Sequence, residues 1–222
     1  MPSESSFADR AEAAEALALA LDAYRGRNPL ILAIPRGAVP MGKILAERLN
    51  GQLDIVLVRK LGAPFNPECA IGAIDETGWI YLNPYAQEAG EMNGFIEREK
   101  SRQLALLKAR RAQYTPLRHP VDPAGRIAIV VDDGLATGAT MIAALHAVRA
   151  RKPAKLVCAV PVAAPDSLAR AASFADQVVC LQTPENFAAV SQFYRHFTQV
   201  EDDEVTRILR MADTSHKVQV QS

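Results

Sequence analysis

Apolar runs and helical stripes alternate along the chain. Five short stretches read as strands buried on both faces: Leu30 to Ile34, Asp54 to Val58, Ile127 to Val131, Lys155 to Val160 and Gln177 to Leu181. Helical patterns lie between and around them. Residues 7–25 carry Ala13, Leu17, Ala20, Leu21 and Tyr24 on one stripe, with Ser6 placed to cap it and Gly26 and Pro29 to end it. A second helix follows Pro40, with Ile44, Leu45 and Leu49 on its apolar side. Residues 95–114 form a long charged helix, acidic early and basic late, as the helix dipole prefers. Met141, Ile142, Leu145 and Val148 share a face, and Pro165 to Phe174 reads as a further helix. The acidic run Glu201 to Glu204 opens a last one. Strands alternating with helices predict an α/β fold: an open, mostly parallel five-stranded core sheet with helices on both faces.

Two regions depart from the alternation. Residues 61–95 are dense in Gly and Pro, and Ala70–Ile74 with Trp79–Leu82 read as a β-hairpin turned at Thr77–Gly78. Residues 183–197 are rich in aromatics, and Val190, Phe193 and Phe197, recurring at helical spacing, read as core residues. The expected organisation is a single domain over 1–222. Its core spans about 28–182, a hood comes from the N-terminal helix and/or 183–212, and 213–222 is a loose tail.

Composition narrows the class. Lys plus Arg is 25 and Asp plus Glu is 25, so there is no global attraction to nucleic acid or to an anionic membrane. The 49% hydrophobic content supports a large core. Cys69, Cys158 and Cys180 are odd in number and widely spaced, which speaks against disulfides and structural zinc. Cys158 and Cys180 sit in apolar runs and read as core residues. No apolar run suits a signal peptide or a membrane span, so the expected location is the cytoplasm.

The chemistry concentrates in residues 127–141. The buried strand Ile127–Val131 ends on Asp132 and Asp133, followed by Gly134 and then Thr137-Gly138-Ala139-Thr140 at a helix start. Small residues entering a helix expose backbone N–H groups and the positive end of the dipole, a setting for phosphate. The two carboxylates suit neutral hydroxyls, which donate to them. Adjacent hydroxyls beside a phosphate describe a ribose 5-phosphate. A lone Asp-Asp-Gly would be an ordinary turn; the whole register is more specific. Neither a Walker-A loop nor a Gly-x-Gly-x-x-Gly fingerprint occurs, and the further Asp and Lys of a receiver domain are not evident.

This stretch resembles the 5-phosphoribosyl-1-pyrophosphate (PRPP) motif of type I phosphoribosyltransferases. The resemblance implies that Asp132 and Asp133 hold the ribose hydroxyls and that Ala136, Thr137, Gly138, Ala139 and Thr140 hold the 5-phosphate. It implies that Arg36, Gly37 and Ala38, in the loop after the Leu30–Ile34 strand, and Lys60, with Arg59 in reserve, meet the pyrophosphate. Arg36, Lys60, Asp132 and Asp133 are then the catalytic set. It also implies a mobile loop within 61–95 that excludes water from the activated sugar, with Asn66 and Glu68 facing the site. Phe187 and Tyr194 are candidates to stack on a flat acceptor.

The expected activity is a PRPP-dependent pentosyltransferase of nucleotide metabolism. It would move the 5-phosphoribosyl group to a nitrogenous base and release pyrophosphate. Mg²⁺ would be bound mainly through PRPP, no protein metal site is expected, and the chain would form a homodimer. The alternative is a non-catalytic PRPP or nucleotide sensor. A pure oligomerisation module leaves the acid pair unexplained.

Overall fold

The computed structural model describes residues 6–63, 66–87, 93–117 and 119–219, with side chains described except at 66–70, 85, 87, 93 and 213–219. Strands β1 (Leu30–Ala33), β2 (Gln52–Ile55), β6 (Ile127–Val131), β7 (Lys155–Val162) and β8 (Gln177–Gln182) make one parallel sheet in the order β2–β1–β6–β7–β8. The order reverses between β1 and β6. Chain direction there opens a crevice at the carboxyl ends of the two strands, where open α/β sheets take ligands.

Alternation along each strand divides the core in two. Ile31, Ala33, Leu53, Ile55, Ile129, Val131, Val157 and Ala159 pack toward α1 (Arg10–Ala20), α2 (Val39–Leu49) and α7 (Asp202–Gln219). Leu30, Leu32, Ala128, Val130, Leu156, Cys158 and Val160 pack toward α5 (Ala139–Arg149) and α6 (Pro165–Ala172). Burying one such Leu or Ile contributes about 1.5–3 kcal/mol. Helices therefore cover both faces, as the apolar runs predict.

A second sheet stands beside the first. Strands β3 (Val58–Ala63), β4 (Asn66–Asp75) and β5 (Ile80–Leu82) are antiparallel, followed by α3 (Pro84–Gln87) and α4 (Asn93–Tyr114). The turn of this arm is pinned to α5. Asp75 is fully buried, its Oδ1 accepts from the Thr77 and Trp79 amides, and its Oδ2 lies 3.0 Å from His146 Nδ1. The Trp79 ring stacks on His146 at 3.8 Å.

Four expectations are corrected. Asp54–Val58 is not one strand: β2 ends at Ile55, and β3 begins at Val58 in the other sheet. Asp54, buried at the break, accepts from the Ile55 and Val121 amides. Arg59 and Lys60 thus lie within the arm, not at the end of a core strand. The first helix starts at Arg10, capped by Asp9 rather than Ser6, because the chain before it is extended: Phe7 N–H donates to Phe193 O, and Arg195 N–H donates to Phe7 O. The same pairing holds 183–197, whose regular structure is a 3₁₀ turn at Val190–Phe193; of the three residues expected in the core there, Phe193 is buried, Val190 half-buried and Phe197 exposed. Lastly, α7 continues to Gln219, into the segment expected to be a loose tail. Among the described residues no helix is long and apolar enough to cross a membrane.

Candidate functional site

The crevice at the sheet's reversal holds a cavity of about 210 Å³. Its walls include Pro35 and Gly37 after β1, Lys60 from β3, Asp132 to Thr137 after β6, Gly138 and Thr140 entering α5, and Val190. Residues from four separate parts of the sequence therefore meet at one place.

Strand β6 delivers the acid pair. Val130 and Val131 are fully buried, while Asp132 and Asp133 emerge at the sheet edge, partly buried. Asp132 Oδ1 accepts from the Asp133 amide at 2.9 Å, which orients the first carboxyl. Burial, and then the neighbouring Asp133 charge, push the Asp132 carboxyl well above the ordinary aspartate range. Hydrogen bonding to the Asp133 amide and the charges of Lys60 and Arg10 act the other way.

The loop after the acid pair is shaped for an anion. Gly138 has φ +75°, a left-handed conformation that glycine adopts without the Cβ clash, and it caps α5. The first N–H groups of α5 have no partner one helical turn back, so they remain available at the cavity. The loop is held from behind by α6: Ser167 Oγ donates to Ala136 O at 2.6 Å, and Arg170 Nη2 donates to Ser167 Oγ at 3.0 Å. Arg170 Nη2 also lies 3.4 Å from Thr137 O. Ala139 is fully buried under the helix start and does not line the cavity.

The opposite wall is less complete. Lys60 lines the cavity, and also a neighbouring one of about 460 Å³ that it shares with Arg59, Arg102 and Arg110. Arg59 donates to Gln103 on α4, and burial, followed by the charges of Arg110 and Arg102, lowers its pKa. Gly37 faces Asp133 so closely that a Cβ there would lie 2.4 Å from Asp133 Oδ2. Ala38 is buried and ends the turn into α2. Arg36 does not line the cavity. Its Nη1 lies 3.5 Å from both Glu201 Oε2 and Asp202 Oδ2, at the start of α7. Asn66 and Glu68 have side chains outside the described residues.

The aromatic candidates divide. Phe187 packs on Phe193 at 5.1 Å, away from the cavity wall, which Val190 supplies instead. Tyr194 is buried, and its hydroxyl donates to the Asp133 backbone carbonyl at 2.6 Å. Burial and the Asp133 charge raise its pKa, keeping it a neutral donor.

Sequence reasoning missed Arg10. Its Nε and Nη2 donate to Asp133 Oδ2 at 2.9 and 2.8 Å, although 123 residues separate the two. The available signal was a cation in the first turn of a helix, where the dipole disfavours one. Ser167 and Arg170 were missed too, because Ser167 reads only as a helix-start residue.

The family model for the phosphoribosyl transferase domain matches residues 6–198. The chain belongs to that family. The motif at residues 127–141 thus sits within a family match that runs from residue 6 to residue 198. A Mycobacterium tuberculosis protein provisionally named a phosphoribosyl transferase is 42% identical over 212 residues. That alignment covers 95% of this chain and 47% of the relative, so the chain spans about half the length of the curated relatives it matches. The crystal structure of TT1426 from Thermus thermophilus superposes with a TM-score of 0.78 at 43% identity, covering 93% of this chain and 98% of that one.

Proposed function

We propose that this phosphoribosyl transferase domain is an enzyme that uses PRPP. It transfers the 5-phosphoribosyl group to a nitrogenous base and releases pyrophosphate. The observation that carries the reading is the convergence of Asp132, Asp133, the Ala136–Thr140 loop and Lys60 on one small cavity. The 5-phosphate sits on the loop and first-turn amides of α5, with the Thr137 and Thr140 hydroxyls beside it. The ribose hydroxyls donate to the acid pair. The pyrophosphate extends toward Lys60 and the neighbouring basic cavity.

Cleavage at the anomeric carbon develops positive charge on the ribose, as in other glycosyl transfers. Holding the sugar by its phosphate and both hydroxyls fixes that carbon relative to the acceptor, and Lys60 stabilises charge on the leaving group. Among the described residues the acid pair supplies the only carboxylates of the cavity wall, and no cluster of three metal-capable side chains occurs. That donor set fits a Mg²⁺ ion carried by the ligand phosphates with its waters, Asp132 and Asp133 being the side chains near it. When bound, the ion screens the pyrophosphate charge. A lid within 61–95, a homodimer and a cytoplasmic location belong to the same proposal.

One observation favours a second reading, a PRPP or nucleotide sensor: Arg36 is engaged by Glu201 and Asp202 rather than by the cavity. Pyrophosphate release from PRPP and Mg²⁺, measured across a panel of bases and amines, separates the two. An enzyme gives acceptor-dependent release. Specific PRPP binding without release from any acceptor supports the sensor.

A further inference from the structure

We propose that Arg10 is a positioning residue for the acid pair, fastening the Asp133 carboxylate to the start of α1 so that its other oxygen is offered to a ribose hydroxyl. The inference rests on the PRPP reading of the cavity and adds to it a residue from outside the motif. Arg10 and Asp133 side chains are only 12% and 15% exposed, so their ion pair is largely shielded from water. Both guanidinium contacts fall on the same atom, Asp133 Oδ2. Among the described residues Oδ1 has no donor, and Asp133 lines the cavity.

The rest of the guanidinium is equally fixed. Nη1 donates to Thr198 O at 2.6 Å, and the Phe197 ring lies 3.8 Å beneath the guanidinium carbon. Phe197 in turn packs on Tyr194, whose hydroxyl holds the Asp133 carbonyl. Asp133 is thereby gripped twice, at its side chain by Arg10 and at its backbone by Tyr194. Gly37 completes the arrangement: a Cβ at that position would lie 2.4 Å from Asp133 Oδ2 and 3.3 Å from Arg10 Nη2. Loop, acid and arginine are stacked in contact, and a displaced Arg10 would free the carboxylate to rotate. A planar fork with two parallel donors suits this task, whereas an ammonium supplies only a point charge.

The test is calorimetric titration of PRPP with Mg²⁺ into the wild-type chain, Arg10→Met and Arg10→Lys, with sulfate as the control ligand. Arg10→Met should weaken PRPP about tenfold or more, the usual scale for losing a charge-assisted pair. Arg10→Lys should recover part of the loss, and sulfate binding on the 136–140 loop should not change. If Arg10→Met does not fold, Arg10→Lys carries the same test with a smaller loss.

The pH profile supplies a readout that a mere brace would not move. Among the described residues the titratable groups facing the pair are Lys60, Arg10, the Tyr194 hydroxyl and, from β7, the Cys158 thiol. Removing Arg10 takes away one of the charges that hold Asp132 down. PRPP affinity in Arg10→Met should therefore fall away at a higher pH than in the wild type. A folded Arg10→Met that binds PRPP as tightly as the wild type, or more tightly, overturns the assignment; tighter binding would make Arg10 a plug. A wild-type chain that holds sulfate but ignores PRPP overturns the PRPP reading itself, and the role of Arg10 with it.

Discussion

The two walls of the cavity are built differently. The wall proposed for the sugar phosphate is local: strand β6, the acid pair, the small-residue loop and the start of α5 lie within residues 127–149. Its backbone is locked by a strand fully buried from Ala128 to Val131 and by Ser167 behind the loop. The wall proposed for the leaving group is less complete. Lys60 reaches it from the antiparallel arm, whereas Arg36, in the loop after β1, lies outside the cavity, 3.5 Å from carboxylates at the start of α7. The first wall stands ready for a ligand, while the second has one cation in place and one engaged elsewhere. Preorganisation lowers the cost of binding, so affinity for the sugar phosphate should survive changes that abolish grip on the pyrophosphate.

The largest effect expected from that asymmetry is at Lys60. Lys60→Ala should weaken PRPP roughly ten- to a hundredfold, the range for a lost charge-assisted bond, and leave ribose 5-phosphate nearly untouched. Calorimetry with both ligands checks it, and equal losses would remove Lys60 from the leaving-group wall. Arg36→Ala should cost much less, since Arg36 already has partners.

Gly37→Ala links the walls. The added methyl would meet Asp133 Oδ2 at 2.4 Å, so the carboxylate must shift. PRPP and ribose 5-phosphate should both weaken, by about tenfold, because the displaced group loses a charge-assisted hydrogen bond. Selective loss of PRPP alone would show that Gly37 serves only the pyrophosphate.

Removing both carboxylate partners of Arg36, Glu201→Gln together with Asp202→Asn, should work in the opposite direction. Exposed ion pairs contribute about 0–1 kcal/mol, so releasing Arg36 should tighten PRPP by no more than about fivefold. Unchanged affinity would mean that Arg36 does not turn into the cavity.

The contrast between the walls also marks what the sequence makes legible. The β6 segment reads correctly because burial, acid pair, loop and helix follow one another, and each is a local pattern. The parallel sheet follows from the same logic, strand by strand. The break after Ile55 does not, because Asp54 to Val58 is uniformly apolar after its first residue, and period alone cannot show which sheet a residue joins. The core reading of Val190, Phe193 and Phe197 fails at Phe197 for a related reason: pairing with Phe7, far off in sequence, holds this stretch extended outside the 3₁₀ turn, so helical spacing does not set its buried face. The roles of Arg10 and Arg36 depend on partners more than 100 residues away, and no periodicity encodes them.

A smaller effect concerns stability. Asp132 has a raised folded pKa, so the folded chain holds that proton more tightly than the unfolded chain. Below the unfolded value of about 3.9 both states are protonated and no penalty exists; as pH rises toward the folded value, ionisation favours the unfolded state. Asp132→Asn should therefore raise the melting temperature by roughly a few degrees at neutral pH, with the gain vanishing below about pH 4. A lower melting temperature at pH 7 would make Asp132 a structural carboxylate.

The central claim is that the acid pair binds ribose hydroxyls and does not hold the fold together. Its most direct test is a titration of PRPP with Mg²⁺, and separately of sulfate, into the chain carrying Asp132→Asn and Asp133→Asn. Two charge-assisted acceptors become neutral amides of the same shape, so PRPP should weaken at least about a hundredfold. Sulfate should still occupy the Ala136–Thr140 loop, and the chain should stay folded. A folded double variant that binds PRPP with wild-type affinity, or one that cannot fold at all, would contradict the account.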